Sequence, residues 1–356
     1  MSRAREFADL AGSADAGGLT GRNLIINGAM QVDQRNGGSS VSAPHNTYTL
    51  DRLNTYQSGG GAYSVQQQTS VTPAGFGFAA KINVDTIDSS IAAGDYYMLT
   101  YNFEGHDTAQ LEFGTSSAKT VTLSFYVRSS LTGTFSGAIN NNASNRAYTF
   151  EYTIDSADTW ERKTITVAGD QSGTWVGAVN TRSIKIRWAL AMGSTYTNTA
   201  GSWAAGDYYG TSNQVNLMAT LNNTFYITGV QLELGSQATP FEHRSYGDEL
   251  RRCERYYQIL SPLAGHGNNT TFWNTLSFNT AMRTQPTLSC ASNTMDYTDG
   301  YASNYNSTNA NPTWVFYIPH NGGRFSTSNH GAVSADFRRG TMLLNSAISI
   351  KADAEL

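Results

Sequence analysis

Cysteine is nearly absent from this sequence. Cys253 and Cys290 are the only two among 356 residues, too few for a disulfide framework and without metal-ligand spacing. Histidine is scarce too: His45, His106, His243, His266, His320 and His330 stand apart, with no H-x-H or H-E-x-x-H to bring two onto one metal, so neither a metal nor a cofactor is expected. Charge is sparse, at 14% of residues with a net charge of −4. That gives no electrostatic case for a nucleic-acid partner. No run approaches 18 apolar residues, so membrane insertion is not expected. The opening MSRAREFADLAGSADAGG lacks the apolar core of a secretion signal, and synthesis in a cytosol is the expectation.

Catalytic signatures are missing as well. There is no G-x-S-x-G nucleophile turn, P-loop, dinucleotide fingerprint or EF-hand loop. A glycosidase would need two carboxylates facing each other across a cleft. Asp85 with Asp88, and Asp155 with Asp158, read most simply as turn residues. The expectation is a protein that is not an enzyme.

What the chain has instead is glycine (34) and tyrosine (20, against 15 Phe and 6 Trp), with abundant asparagine. Glycine and asparagine tolerate positive φ, and tyrosine suits a half-buried pleated surface, so the composition favours turn-rich β structure. Strand signals recur at Asn23–Ile26, Ala62–Gln67, Phe78–Ile82, Tyr96–Phe103, Thr120–Arg128, Arg146–Ile154, Glu161–Val167, Ile184–Ala191 and Phe225–Leu234. Val121, Leu123, Phe125 and Val127 alternate with polar neighbours, as do Ile184, Ile186 and Trp188 with Lys185 and Arg187. Residues 23–240 therefore read as one antiparallel sandwich or jelly roll. The hexapeptide AAGDYY occurs at Ala92–Tyr97 and again at Ala204–Tyr209, but no fixed period recurs.

Three further segments stand apart. Residues 1–22 form an arm in which Arg3–Leu10 could coil into two helical turns with Phe7 and Leu10 on one side; it either docks on something or is a disordered tail. Residues 241–260 hold eight charged side chains between Glu242 and Arg255 and read as a short helical connector. Ser245 and Asp248 resemble a capping box, and Leu250, Cys253, Tyr257 and Leu260 form a narrow apolar stripe. That stripe fits packing on a sandwich or meeting copies of itself around an axis. Residues 261–356 return to strand signals, with a long polar loop at Asp296–Pro312, and read as a smaller second β-sandwich.

Aromatic rings in polar loops suit sugar recognition, because ring faces stack on C–H patches while Asn, Asp and Ser bond to hydroxyls. Two groups qualify: Trp203, Tyr208 and Tyr209, and Tyr297, Tyr301 and Tyr305 with Trp314. Each could equally pack on its own loop or on a neighbouring subunit.

NLIINGAM (Asn23–Met30) and FYITGVQLELG (Phe225–Gly235) resemble the first and last strands of carbohydrate-binding-module jelly rolls. TVTLSFYVRSSLTGTFS, DTWERKTITVAGDQSGTW, and NQVNLMATLNNTFYITGVQLELG followed by TPFEHRSYGDELRRCERYYQ are similar to phage tail-fibre and virion fibre proteins, as are the opening MSRAREFADLA and the ending ADAEL. The resemblance implies an all-β homotrimer in the virion. Its arm would join other virion proteins, and its C-terminal tip would face a host-surface polysaccharide or receptor. A purely structural head fibre or decoration subunit, or a polysaccharide depolymerase, are the rival readings. Such jelly rolls often hold a structural calcium, but Gln31 and Thr228–Gly229 stand where acidic ligands are common.

Overall fold

The structure is a computed structural model that describes residues 21–260, 265–267, 271–290, 295–298, 304–307, 313–317, 322–328, 340–343 and 350–356, with side chains at 21–260, 277–289 and 350–356. The arm residues Phe7 and Leu10 lie outside these. The chain divides into two compact units, one ending at Glu249 and the other running Leu250–Glu355. The boundary thus falls inside the expected connector.

The first unit is an all-β sandwich. Its strands are β1 (Val41–Ser42), β2 (Thr47–Leu50), β3 (Leu53–Ser58), β4 (Ala62–Gln68), β5 (Ala79–Thr86), β6 (Tyr96–Glu104), β7 (Val121–Ser129), β8 (Gly133–Asn141), β9 (Arg146–Ile154), β10 (Glu161–Val167), β11 (Arg182–Met192), β12 (Trp203–Ala205) and β13 (Thr224–Leu234). One sheet has the order β1-β4-β5-β13-β7-β10, the other β12-β9-β8-β11-β6-β3-β2, and every pairing between these strands is antiparallel. Neighbours in space are mostly not neighbours in sequence, which is jelly-roll connectivity.

Period-two patterning decides which residues face inward. Val121, Leu123, Phe125 and Val127 of β7 and Ile184, Ile186 and Trp188 of β11 are all buried in one core. Aromatic edges tie the two sheets together there: Phe125 meets Trp188 at 5.9 Å and Tyr152 at 5.2 Å between centroids, and Phe135 meets Phe225 at 5.7 Å. Each such ring contributes roughly 1.5–3 kcal/mol by leaving water.

The Asn23–Ile26 segment departs from expectation, for it is not a strand. Charged side chains from Pro240–Glu249 take most of the bonds a ladder would supply. Glu242 accepts from the Gly21 and Asn23 amides (2.5 and 2.8 Å), and Glu249 accepts from the Asn27 amide. Arg244 donates to the carbonyls of Ile25 (2.9 Å) and Asn23, and Arg22 reaches the Pro240 carbonyl at 2.9 Å. Only Leu24 bonds in ladder fashion, to the Leu232 carbonyl at 2.9 Å. These charges act as a clamp on the Gly21–Asn27 segment, not as the surface of a free rod.

The expected helical connector over 241–260 is also corrected. The helix spans only Tyr246–Glu254, opened by the Ser245–Asp248 capping box (Asp248 amide to Ser245 Oγ, 3.2 Å; Ser245 Oγ to Asp248 Oδ2, 2.7 Å). Tyr257 and Leu260 then lie on a strand, β14 (Tyr257–Leu260), so the apolar residues do not form one helical stripe. Cys253, Tyr257 and Leu260 are buried within the second unit, and Leu250 is half-buried. β-branched and aromatic residues in YQIL prefer the pleated surface once a partner strand is present.

In the second unit β14 joins β23 (Ile350–Asp353) and β17 (Thr287–Cys290) in a three-stranded antiparallel sheet, order β14-β23-β17. A seven-stranded sheet has the order β19-β18-β22-β15-β16-β21-β20, from β15 (Gly265–Gly267), β16 (Thr271–Ser277), β18 (Met295–Thr298), β19 (Asn304–Ser307), β20 (Thr313–Tyr317), β21 (Gly322–Ser328) and β22 (Gly340–Leu343). The polar stretch Asp296–Pro312 is thus not one loop. Tyr297 stands opposite Tyr305 across the β18–β19 ladder, and Trp314 lies within β20. Tyr301 and the strand signal at Ala332–Phe337 lie outside the described residues.

Candidate functional site

The face of the seven-stranded sheet turned away from the core is where chemistry gathers in the first unit. Three rows of side chains cross it. Asn54, Thr100 and Arg187 are register partners on β3, β6 and β11; Asn102, Lys185 and Asn140 form the next row on β6, β11 and β8; Tyr56, Met98, Ala189 and Ser136 form the third. This follows from the alternation along β11, which turns Lys185 and Arg187 outward as it sends Ile184, Ile186 and Trp188 inward.

Outward does not mean exposed. Arg187 keeps only 5% of its surface, because the segment after β11 folds back across the sheet. The Tyr209 ring lies over the guanidinium at 4.0 Å from carbon to centroid, a close cation–π geometry. Arg187 also donates to Asn140 Oδ1 at 3.1 Å and faces Asp207 at 3.5 Å, while Tyr209 donates to Asp207 Oδ2 at 2.6 Å. Burial raises the Tyr209 hydroxyl above its ordinary value, and the bond to Asp207 adds to this.

Around this centre sit further rings. Tyr196 stacks on Tyr209 (4.6 Å, 7° between planes), Tyr96 stands edge-on to both at 5.2 and 5.7 Å, and His45 meets Tyr56 at 5.1 Å and Tyr96 at 6.2 Å. Tyr56, Tyr96 and Tyr196 are half-buried and His45 is exposed, so the group offers ring surface to solvent above a polar floor. On that floor Asn54 Oδ1, Thr100 Oγ1, Asn102 Oδ1 and Arg187 Nε have no hydrogen-bond partner. These atoms are sealed from solvent, so what the face presents to a polyhydroxylated ligand is its half-buried rings and the partly exposed Asp207 carboxylate.

Lys185 is the second cation on this face. It donates to the Asn142 carbonyl (3.2 Å) and to Ser144 Oγ, and has no carboxylate within ion-pair reach among the described residues. Burial, with Arg187 and Arg182 nearby, pushes its ammonium down to about 7 from 10.5, and Asp207 opposes only weakly. In this window the unfolded chain binds more protons than the folded one, so stability rises with pH between about 7 and 10.5. Lys185→Met is expected to flatten that slope and raise the melting temperature at pH 6, as read by scanning calorimetry across pH.

The structure divides one group that the sequence placed together. Tyr209 belongs to the platform, and Tyr208 beside it gives its carbonyl to Asn140 Nδ2 at 3.0 Å. Trp203 belongs elsewhere, to an aromatic cluster with Tyr148, Trp175 and Phe113 at 5.4, 5.4 and 5.8 Å, its indole N–H bonded to the Ala168 carbonyl. Tyr56, Tyr96, Tyr196, His45 and Arg187 were not singled out by sequence. The AAGDYY repeat marked one of them: Tyr96 from the first copy meets Tyr209 from the second. Among the described residues no three His, Cys, Asp or Glu side chains converge as metal ligands, and no helix is long and apolar enough to cross a membrane.

No protein-family model matches the chain, and no curated protein sequence matches it. Solved structures do. One is the enzymatically active domain of tailspike protein 4 from bacteriophage CBA120, at 13% identity and a TM-score of 0.34, covering 60% of this chain but only 21% of that one. A family 4 carbohydrate-binding module is 15% identical over 59% of this chain and 98% of its own, with a TM-score of 0.29. The family 11 module from Clostridium thermocellum, in complex with a β-1,3-1,4-mixed-linked tetrasaccharide, is 13% identical over 57% of this chain and 98% of its own, at 0.28.

Proposed function

We propose that this chain is a glycan-binding receptor protein of a phage fibre, acting by attachment and not by catalysis. The observation that carries the glycan part is the platform: the half-buried rings of Tyr56, Tyr96 and Tyr196 with the partly exposed Asp207 carboxylate, which Tyr209 and Arg187 hold. Ring faces would take the C–H side of a pyranose, and the Asp207 carboxylate would accept from its hydroxyls. The phage part rests on the resemblance of Asn213–Gln258 and its flanks to virion fibre proteins. In that setting a homotrimer in the virion, tied to other virion proteins through the arm, would multiply weak sugar contacts through effective concentration.

Isothermal titration of the purified chain with host-surface polysaccharide fragments tests the reading. Wild type is expected to bind, and Tyr96→Ala with Tyr196→Ala to weaken affinity by about tenfold or more, since a loss of about 1.4 kcal/mol corresponds to a factor of ten. The half-buried rings should leave the melting temperature nearly unchanged. An unchanged affinity in the double variant would remove the platform from the reading. A monomer by light scattering at micromolar concentration would remove the trimer.

A further inference from the structure

A second recess in the first unit is unrelated to the platform. A groove of about 510 Å³ opens where the residues after β6, the Trp175–Gly177 segment and the start of β11 meet. Phe113, Trp175, Val176 and Ile184 supply its apolar lining, and Thr108 and Ser183, buried and bonded to each other at 2.9 Å, close its floor. Its size suits a ligand of one to three sugar rings.

The groove's shape is held from behind. The Trp175 indole N–H is spent on the Ser172 carbonyl (3.0 Å) and Asp170 (3.3 Å), and Asp170 is locked by a two-point pair with Arg146 (2.6 and 2.8 Å). Phe113 and Trp203 brace the same ring edge-on at 5.0 and 5.4 Å. With its N–H engaged, Trp175 has only ring surface to offer a ligand. The lining's ionisable side chain is Glu112, itself 3.6 Å from Lys119; no cation lines the groove. A carboxylate or phosphate would meet no cation in the lining itself, where the one charge is the Glu112 carboxylate paired with Lys119.

We infer that this groove is a second ligand site, built for a short neutral oligosaccharide that stacks on Trp175. It is independent of Arg187 and of the platform, so the chain would hold a glycan at two places.

The test follows the Trp175 indole N–H resonance, assigned with Trp175→Phe, while cellotriose, laminaritriose and mannotriose are added, with trigalacturonate as the anionic control. The protein is the full chain carrying Tyr96→Ala and Tyr196→Ala. A shift with a neutral trisaccharide and none with trigalacturonate is expected. Gly177 lines the groove and has no atom within 4 Å of where a Cβ would stand, so Gly177→Trp can block it without a clash. That variant should fold with an unaltered melting temperature and lose the shift. No shift with any neutral trisaccharide, or a shift that survives Gly177→Trp, overturns the groove and leaves the platform untouched. A shift together with undiminished affinity of the double variant for host fragments keeps the groove and removes the platform.

Discussion

Arg244→Met should lower the stability of the first unit by about 3–5 kcal/mol, among the largest effects of any single substitution here. Arg244 is 8% exposed and makes two kinds of bond at once. Its guanidinium donates to the Asn23 and Ile25 carbonyls, and it lies 3.5 Å from Glu249 and 3.7 Å from Glu242. Removing it takes the ion-pair partner from Glu249, weakens the support of Glu242, which keeps Arg22 and the Gly21 and Asn23 amides, and strands two backbone acceptors. Methionine keeps much of the volume, so the loss reports charge and hydrogen bonding, not a cavity. Urea denaturation of wild type and variant measures it; a change under 1 kcal/mol would mean that the clamp does not hold the Gly21–Asn27 segment.

The same clamp has a pH signature. Burial alone would raise the Glu242 carboxyl, but the amides of Asn23 and Gly21 with Arg244 and Arg22 outweigh it and hold the group below its ordinary 4.5. A depressed carboxylate contributes stability above its unfolded value and loses it as pH falls through the folded one. Without Arg244 the folded value moves back up. Acid unfolding of the variant should therefore begin at a higher pH than in wild type.

How much of this was legible in the sequence depends on what each segment relies on. β9 and β10 run over the expected residues, Arg146–Ile154 and Glu161–Val167, because their alternation is strict and local. β8, GTFSGAINN, gave no strand signal, since Gly, Ser and Asn are residues of turns. It forms because β9 and β11 pair with it on both sides, a tertiary effect that overrides composition. The opposite error arose at Asn23–Ile26, where an aliphatic run looked like a strand yet is held mainly by side chains more than 200 positions away. The platform was half visible. Tyr209 was picked from its loop and Lys185 and Arg187 were recognised as one face of β11, but only the fold brings the AAGDYY copies and Tyr196 over that face. Register between strands distant in sequence was the missing information, and local periodicity does not carry it.

Gly137→Ala is the second large effect, and it joins the core to the platform. Gly137 sits in β8 opposite Trp188 on β11 and Phe150 on β9. A Cβ there would stand 2.2 Å from the Arg187 carbonyl oxygen and 2.5 Å from the Phe150 ring. The ring has some freedom to move, but the carbonyl belongs to a central strand paired on both sides. The expected cost is about 3 kcal/mol, at the upper end for overpacking because the stiff neighbour is backbone. The double variant Gly137→Ala with Phe150→Leu separates the two contacts: relief of the ring alone should recover only part of the loss. Full recovery would assign the whole cost to Phe150. Partial recovery means that β11 has been displaced at Arg187, beneath Tyr209, so glycan affinity measured on the double variant should stay below wild type even where the protein is fully folded.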